Sequence, residues 1–275
     1  MIKLLKQLLL GLSLFSLHHA QDVEITWYGH SAYQIVGPKG TRILIDPWIQ
    51  NMLNPRGDKL FRKLKKTDFI LLSHGHGDNL GDSQHILNIS QAQIITTYGL
   101  ANALVQILKY PPERLPPELS ADIGGIVEAN DQLQVLFTPA KHSSEVMDKN
   151  GKLHFAGSAV GFVIKFKGGP NIYFSGDTDV FMDMKLIPIF NPIDLMLVCI
   201  GGHFSMDPQR AALATMMIKP KWVTPMKFQT YQLLKGNKKE FAIELDRTAF
   251  RGKIFDLDIN ESRTFPPQSE IPSEN

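Results

Sequence analysis

The chain has 275 residues, 43% of them hydrophobic, which is enough to bury a full core, and we expect one large domain rather than two small ones. Lysine and arginine number 29 against 27 acidic residues, so the formal net charge of +2 gives no reason to expect a polyanionic partner. No basic stripe alternates with aromatic residues, and nucleic acid is excluded as an expected partner. The single cysteine, Cys199, leaves no intramolecular disulfide to form.

The first twenty residues differ in kind from the rest of the chain. Lys3 and Lys6 precede an apolar run at 8–17, and Ala20 is a small residue suited to a cleavage site. The run is too short for a membrane span, which takes about 20 apolar residues. We therefore expect residues 1–20 to be a signal peptide and the protein to be periplasmic or secreted, with no stable membrane span after cleavage. The alternative is an uncleaved amphipathic or buried helix at the N-terminus.

From residue 23 onward, short β-rich runs alternate with turn signals and a few helical stretches, which is typical of a mixed α and β domain. Strands are predicted at 23–28, 32–36, 42–45, 69–73, 93–96, 133–137, 161–166, 172–174 and 195–199. Helices are predicted around 82–89, 100–108 and 208–217, the last with Asp207 as its N-cap and Pro208 at its first position.

The remaining segments are expected to be less regular. The stretch 110–125 carries Pro111, Pro112, Pro116 and Pro117, so it is predicted to have no helix of its own. The predicted domain covers 21–260, and 261–275 is expected to be a flexible tail.

A weak internal repeat links two segments of the chain. Residues 31–46 and 158–177 each read as a Ser-Ala pair, a strand, a glycine turn, a second strand and an aspartate. Two related halves are expected, with chance as the alternative, because hairpins with glycine turns are common.

A cluster of metal-binding side chains follows the predicted strand at 69–73. His74, His76 and Asp78 alternate with glycines, which remove side-chain bulk and permit the backbone angles of a tight loop. Three such side chains within five residues at a strand end indicate a metal site more strongly than a solvated loop.

Two later strand ends supply further candidate ligands. His142 follows the strand at 133–137, and Asp177 follows the strand at 172–174. Taken alone, each is weak, because a histidine after a strand is more often structural and a Gly-Asp pair is more often a turn.

In this order, these residues resemble the metallo-β-lactamase superfamily, in particular its metal-dependent hydrolases related to ascorbate-phosphate lactonases and N-acyl-phosphatidylethanolamine phospholipases D. The resemblance covers about 23–228 and includes the segments 27–32, 44–47 and 201–208. It implies an α+β fold, the αββα sandwich of two mixed β-sheets flanked by helices, with the metals at the sheet edges.

The resemblance also implies a role for each ligand. His74, His76 and His142 would bind the first metal, Asp177 would bridge to a second, and Asp78 would belong to that second metal. This chain departs from the family at Asn79 and Lys227, where the family usually has histidines.

Both departures affect the second position. Asparagine is a weak neutral ligand and a protonated lysine cannot ligate, so one zinc ion is expected, with Mn²⁺ or iron as the alternative metal and a second, harder ion left open. Lys227 is expected to stand in for the missing ion and to pair with Asp78 and Asp177, which would otherwise repel each other. The alternative is a solvent-facing lysine.

Other polar residues are expected near the site without being ligands. His30 is assigned to a supporting or substrate position, Asp46 to support of the metal loop through hydrogen bonds, and Asn79 to the same surroundings. His203 is either a substrate contact or a satisfied loop residue.

The resemblance therefore implies a hydrolase that uses a metal-activated water on an ester, lactone, amide or phosphodiester of a small-molecule or lipid-like substrate. Asp78 is expected to orient the water or act as a general base, and Lys227 to stabilise developing negative charge. The alternative is a non-catalytic protein that binds a metal or a small ligand. An oligomer is compatible with either.

Overall fold

The computed structural model describes residues 21–267, so the expected signal peptide at 1–20 lies outside the described residues. The strands are β1 (Val23–Trp27), β2 (Tyr33–Val36), β3 (Arg42–Ile45), β4 (Phe69–Leu71), β5 (Gln93–Thr97), β6 (Ser120–Ala121), β7 (Ile126–Asn130), β8 (Leu133–Pro139), β9 (Glu145–Met147), β10 (Leu153–Phe155), β11 (Val160–Phe166), β12 (Asn171–Phe174), β13 (Leu195–Cys199), β14 (Trp222–Met226), β15 (Lys253–Ile254) and β16 (Ser262–Phe265).

The α-helices are α1 (Gly57–Leu60), α2 (Gly77–Leu80), α3 (Ser83–Ile89), α4 (Tyr98–Gln106), α5 (Ile187–Phe190), α6 (Pro208–Ile218) and α7 (Lys238–Asp246). Short 3₁₀ helices lie at Phe61–Lys66, Pro112–Arg114, Pro117–Leu119 and Met182–Leu186. Within 21–267 no helix has both the length and the apolar character needed to cross a bilayer.

The strands form two large mixed sheets and one separate hairpin, β9–β10. The first sheet has the order β16-β1-β2-β3-β4-β5-β6, and the second has the order β15-β14-β13-β12-β11-β8-β7. In the first sheet β1, β2 and β3 are antiparallel neighbours, and β4, β5 and β6 add in parallel. In the second, β8, β11 and β12 are antiparallel, and β13, β14 and β15 add in parallel. The two sheets therefore share one strand pattern, as the internal repeat predicts.

Alternation of side chains along the strands places the sheets face to face. Ile43 and Ile45 of β3 lie in the central core that the two sheets share, whereas Leu44 points to a second cluster with helices α2, α3 and α4. On the far side of the second sheet, helix α6 packs small residues such as Ala211 and Ala214 against that sheet. The layers are helix, sheet, sheet, helix, which is the expected αββα sandwich.

Strand β14 and helix α7 are among the elements of the second half that were not predicted from the sequence. Strand β14 contains Pro225, a residue that usually argues against an interior strand, yet it pairs with β13 in parallel through Val198. Helix α7 begins at a polar N-cap, where the Asn237 side chain accepts a hydrogen bond of 2.9 Å from the backbone N–H of Glu240.

Two predicted boundaries are also corrected. The flexible tail was expected from 261, but Ser262–Phe265 pairs with β1 as an edge strand, so its first residues belong to the domain. The stretch 110–125 was expected to have no helix of its own, but it contains two 3₁₀ turns and strand β6. In each 3₁₀ turn the proline occupies the first helical position, where no backbone N–H is needed.

Candidate metal centre

Three histidine side chains converge at the carboxyl ends of β4 and β8. The Nδ1 atom of His76 lies 3.1 Å from Nε2 of His74 and 3.3 Å from Nε2 of His142. One ligand nitrogen from each ring lies within 4.8 Å of the other two. His74 is buried, and the other two are partly exposed, so the cluster is open on one side. Three imidazole nitrogens with one open face could hold a metal ion and leave a position for a further ligand.

The histidine loop is tight because it passes under the hairpin β9–β10. A Cβ atom at position 75 would lie 2.7 Å from the backbone oxygen of Glu145, so only glycine lets the two segments approach. Gly75 thereby sets the distance between the loop that carries His76 and the hairpin that follows His142.

A buried carboxylate completes the cluster. Asp177 Oδ2 lies 3.6 Å from His74 Nε2 and 3.7 Å from His142 Nε2. Asp177 Oδ1 is buried and has no hydrogen-bond partner among the described residues. A buried oxygen without a partner is costly unless a cation or donor reaches it. The other oxygen, Oδ2, lies beside the nitrogens of His74 and His142, so the carboxylate is placed as a metal ligand would be.

Burial favours the neutral form of two of these imidazoles, the form that metal binding requires. Burial lowers the pKa of His74 to about 3, and burial also lowers the pKa of His142. A neutral imidazole keeps one nitrogen lone pair for a metal. The donor set therefore fits a divalent ion bound by His74, His76, His142 and Asp177.

A chain of hydrogen bonds orients His74. Ser73 Oγ lies 2.6 Å from Asp46 Oδ2, to which it donates, and 2.9 Å from His74 Nδ1, from which it accepts. This leaves Nε2 of His74 without a proton and facing the cluster. Burial raises the pKa of Asp46 to about 7, although it accepts hydrogen bonds from Ser73 and Asn79. Asp46 thus lies where the sequence predicts, beneath the metal loop.

His76 is oriented by Glu145, a residue that the sequence reasoning missed. His76 Nε2 lies 3.0 Å from Glu145 Oε2, so Nε2 carries the proton and Nδ1 faces the other imidazoles. The hydrogen bond from His76 lowers the pKa of Glu145, which keeps it a carboxylate. The only signal in the sequence is that Glu145 follows the candidate ligand His142 by three residues.

Lys227 lies at the end of β14 and points into the same centre. Its side chain is only 3% exposed, and its Nζ atom contacts Asp177 Oδ2 directly, lies 3.0 Å from Asp78 Oδ2 and lies 3.3 Å from Asn79 Oδ1. Burial acts to lower the pKa of Lys227, but the charges of Asp177 and Asp78 raise it overall, so it stays an ammonium ion. The lysine faces the centre, not solvent.

Both ends of the Asn79 side chain are used within the protein. Its Nδ2 donates to Asp46 Oδ2 at 2.8 Å, and its Oδ1 accepts from Lys227. The Asn79 amide therefore links Asp46, beneath the histidine loop, to Lys227.

Asp78 has two donors on one oxygen. Its Oδ2 lies 3.0 Å from His30 Nε2 and 3.0 Å from Lys227 Nζ. Burial acts to raise the pKa of Asp78, but the hydrogen bond from His30 and the charge of Lys227 bring it well below its ordinary value. Oδ1 has no hydrogen-bond partner among residues 21–267, so it can accept from a water or a substrate.

His30 is buried and supports Asp78 from one side. Its Nδ1 lies 2.9 Å from Thr230 Oγ1, and its ring contacts Trp48 and Tyr231, each in an edge-to-face arrangement. Trp48 and Tyr231 stack with ring centroids 5.7 Å apart. This aromatic pair was not predicted, because its members lie far apart in the sequence.

His203 is not brought to the cluster. It is exposed, packs edge-to-face on Phe204, and lines a separate cavity with residues of the loop before α6 and of helix α7. Whether His203 is a substrate contact or a satisfied loop residue stays a prediction.

Comparisons with known proteins agree with this geometry. Residues 41–227 match the family model of the β-lactamase superfamily domain. A UPF0173 metal-dependent hydrolase of Thermodesulfovibrio yellowstonii is 42% identical over 242 residues, covering 87% of this chain and 91% of that protein. A second UPF0173 metal-dependent hydrolase, from Anaeromyxobacter dehalogenans strain 2CP-1, is 42% identical over 231 residues, covering 84% of this chain and 81% of that protein.

Solved structures show the same likeness. Igni18, described as a novel metallo hydrolase from the archaeon Ignicoccus hospitalis, superposes with a TM-score of 0.77 at 30% identity, covering 89% of this chain and 98% of that chain. The metallo-β-lactamase fold protein YhfI of Bacillus subtilis superposes with a TM-score of 0.65 at 13% identity, covering 89% of this chain and 99% of that chain, a likeness of fold alone.

Proposed function

Because the chain belongs to the β-lactamase superfamily and is one of its metal-dependent hydrolases, we propose that it hydrolyses an ester, lactone, amide or phosphodiester bond with a single zinc ion. The substrate is a small molecule or is lipid-like. The observation that carries the proposal is the buried ammonium of Lys227 between Asp78 and Asp177, where a second ion would otherwise bind.

The first position keeps a full ligand set. His74, His76 and His142 present three nitrogens, and Asp177 presents a buried oxygen. An ion bound there supplies Lewis acidity toward a carbonyl or phosphoryl oxygen and lowers the pKa of water toward about 7. Three nitrogens and one carboxylate favour zinc, and Mn²⁺ or iron is the alternative.

The second position lacks ligands and already carries a positive charge. Asn79 has both of its polar atoms engaged by Asp46 and Lys227, and Asp78 shares one oxygen between His30 and Lys227. An ion entering here would meet the ammonium at close range, with little water to screen the repulsion. These contacts favour one metal ion per chain.

Asp78 and Lys227 lie beside the histidine cluster and have different roles. Asp78 has a depressed pKa, so it is a weak base, and its Oδ1 atom holds and orients a water molecule through a hydrogen bond. Lys227 has one contact for each of its three N–H groups, on Asp177, Asp78 and Asn79, so its main effect is to keep both carboxylates ionised. Direct contact of Lys227 with substrate requires one of these bonds to open.

The second candidate is a non-catalytic protein that binds a metal or a small ligand on the same fold. The loss of both second-site histidines, at Asn79 and Lys227, favours it. The retention of three histidines and Asp177, each oriented by its neighbours, favours hydrolysis.

The test has two parts. Dialysed protein is analysed for metal content, and metal-loaded protein is then screened with generic esters, lactones, amides and phosphodiesters. One ion per chain with turnover of one class supports the proposal. One ion with no turnover of any class indicates the binding protein, and two firmly held ions contradict the single-metal centre.

A further inference from the structure

A row of apolar side chains faces solvent on the outer layer of the second sheet. Met182, Leu186, Ile189 and Phe190 are 63%, 52%, 66% and 78% exposed, and we call them the apolar stripe. They belong to one helical segment, the 3₁₀ helix Met182–Leu186 and helix α5, whose buried residues are Met184 and Ile187. Scattered apolar residues on a surface are ordinary, but four on one short helical segment mark an interaction surface.

A cavity adjoins the end of this stripe. It has a volume of about 900 Å³ and lies between the helical segment, the end of helix α6 and the loop 249–252. Its floor is apolar, with Pro188, Met216, Met217 and Phe250, and Ile189 belongs to both the cavity and the apolar stripe. We call this cavity the basic groove because basic side chains line it.

Three cations line the basic groove and no acid does. Lys185, Lys219 and Arg251 are among its eleven lining residues. All three are exposed, and none has an ion-pair partner within 21–267. Peripheral proteins bind anionic lipid through apolar surfaces with unpaired cations at the edge. The apolar side chains enter the boundary between headgroups and acyl chains, and the cations bind lipid phosphates.

We propose that the apolar stripe and the basic groove together form a docking face for an anionic membrane surface. The stripe inserts its apolar side chains among the lipids, while Lys185, Lys219 and Arg251 bind anionic headgroups over the groove. A second copy of the chain is the less suitable occupant, because a twofold contact across this face brings two sets of unpaired cations toward each other. The face does not include the metal ligands.

The stripe also begins close to the metal centre in the sequence. Met182 follows Asp177 by five residues, and Lys141, next to His142, lies over the ring of Phe181 at 5.9 Å. The segment that carries the stripe is therefore joined directly to the loop that carries Asp177. The docking itself needs no metal, so it is tested without activity.

The test is cosedimentation of the purified chain with phosphatidylcholine vesicles that contain or lack phosphatidylglycerol. We expect binding to the anionic vesicles, much weaker binding to the neutral ones, and a fall in binding as salt rises. The double variant Lys185→Ala with Arg251→Ala should weaken binding about 25-fold, because each cation near an anionic surface contributes about fivefold. Phe190→Ser should weaken it about tenfold or more.

Matched controls lie on the hairpin β9–β10. Phe155 has the same 78% exposure as Phe190. Replacing the exposed Lys149 and Lys152 by alanine removes the same charge as the double variant of the basic groove. Phe155→Ser, and Lys149→Ala with Lys152→Ala, should each leave binding within about twofold. His142→Ala should bind vesicles like the wild type, which separates this inference from the proposed hydrolase. All variants share one N-terminus, so differences between them report the docking face.

Three results would overturn the inference. One is equal binding to neutral and anionic vesicles. Another is an equal loss in the hairpin controls, which would put the contact elsewhere. The third is a wild-type dimer in sedimentation velocity that Phe190→Ser converts to a monomer without any vesicle binding, which would make the face a contact between copies.

Discussion

The Nζ atom of Lys227 lies 3.0 Å from the Oδ2 atom of Asp78, although 149 residues separate the two in the chain. The contact joins the end of β14 in the second sheet to the metal loop after β4 in the first. A buried ammonium thereby supplies, within the protein, the positive charge that two neighbouring carboxylates need.

The first prediction concerns metal stoichiometry. Wild-type protein should hold about one metal ion per chain after dialysis, and the double variant Asn79→His with Lys227→His should hold closer to two. The double change removes the ammonium and restores two imidazoles beside Asp78 and Asp177. Elemental analysis measures both. Lys221→His, at a position with a 76% exposed side chain, should stay at one ion, and a double variant that also stays at one would contradict the assignment.

The second prediction concerns stability without metal. Lys227→Met should lower the free energy of unfolding by about 3–5 kcal/mol near neutral pH, because it leaves buried carboxylates without their cation. Burial raises the pKa of Asp177, but the charge of Lys227 more than offsets this and lowers it overall. In the variant that lowering is lost, and Asp177 takes up a proton more readily.

The sign of the pH effect follows from this shift. A depressed carboxyl pKa stabilises the native wild type above the unfolded-state pKa, and that contribution disappears as pH falls. The difference between wild type and Lys227→Met should therefore be largest near neutral pH and shrink in acid. Urea unfolding in the presence of a chelator measures it at each pH. A difference that does not change with pH would mean that the lysine does not compensate these charges.

The third prediction concerns the ligands. His142→Ala should lose metal binding and hydrolytic activity while its unfolding transition stays cooperative, because the ring lies at the edge of the core and not within it. His154→Ala is the matched control, since His154 pairs with Asp148 on the hairpin at 2.9 Å and lies outside the cluster. Full metal content in His142→Ala would show that the ion binds elsewhere.

The fourth prediction concerns Glu145. Glu145→Ala should weaken metal affinity by about 10- to 100-fold, because His76 loses the acceptor that keeps its Nδ1 directed at the cluster. Competition with a chromogenic chelator measures the affinity. Glu113→Ala, an exposed change with the same loss of charge, should leave the affinity unchanged. Equal metal affinities in Glu145→Ala and Glu113→Ala would show that Glu145 does not orient His76 for metal binding.

The sequence was informative where chemistry and local pattern coincide. The strand before His74 is a continuous apolar run, and glycines flank His76, so both the position and the tightness of the loop follow from local residues. The pairing of Lys227 with Asp78 and Asp177 was also expected, because the position of the lysine corresponds to a ligand position in the family. The kinship with lactonases and phospholipases D stays a prediction.

The rest depends on contacts that no local pattern encodes. Glu145 meets His76 only because the hairpin β9–β10 folds back over Gly75. Trp48 and Tyr231 meet because segments from the two sheets end at the same edge. His203 shows the converse, since a histidine within a family motif is not among the three histidines of the cluster.

Because the two sheets share one strand pattern, an aspartate from each sheet lies near the histidine cluster. Asp46 follows β3 and Asp177 follows β12, which occupy corresponding places in their sheets. The carboxylate of Asp46 accepts hydrogen bonds from Ser73, whereas that of Asp177 lies beside His74 and His142 and contacts Lys227. The two corresponding hairpins thus place their aspartates differently, one beneath the histidine loop and one beside the imidazoles. Asp46→Asn would therefore affect the folding of the histidine loop, whereas Asp177→Asn would affect metal binding.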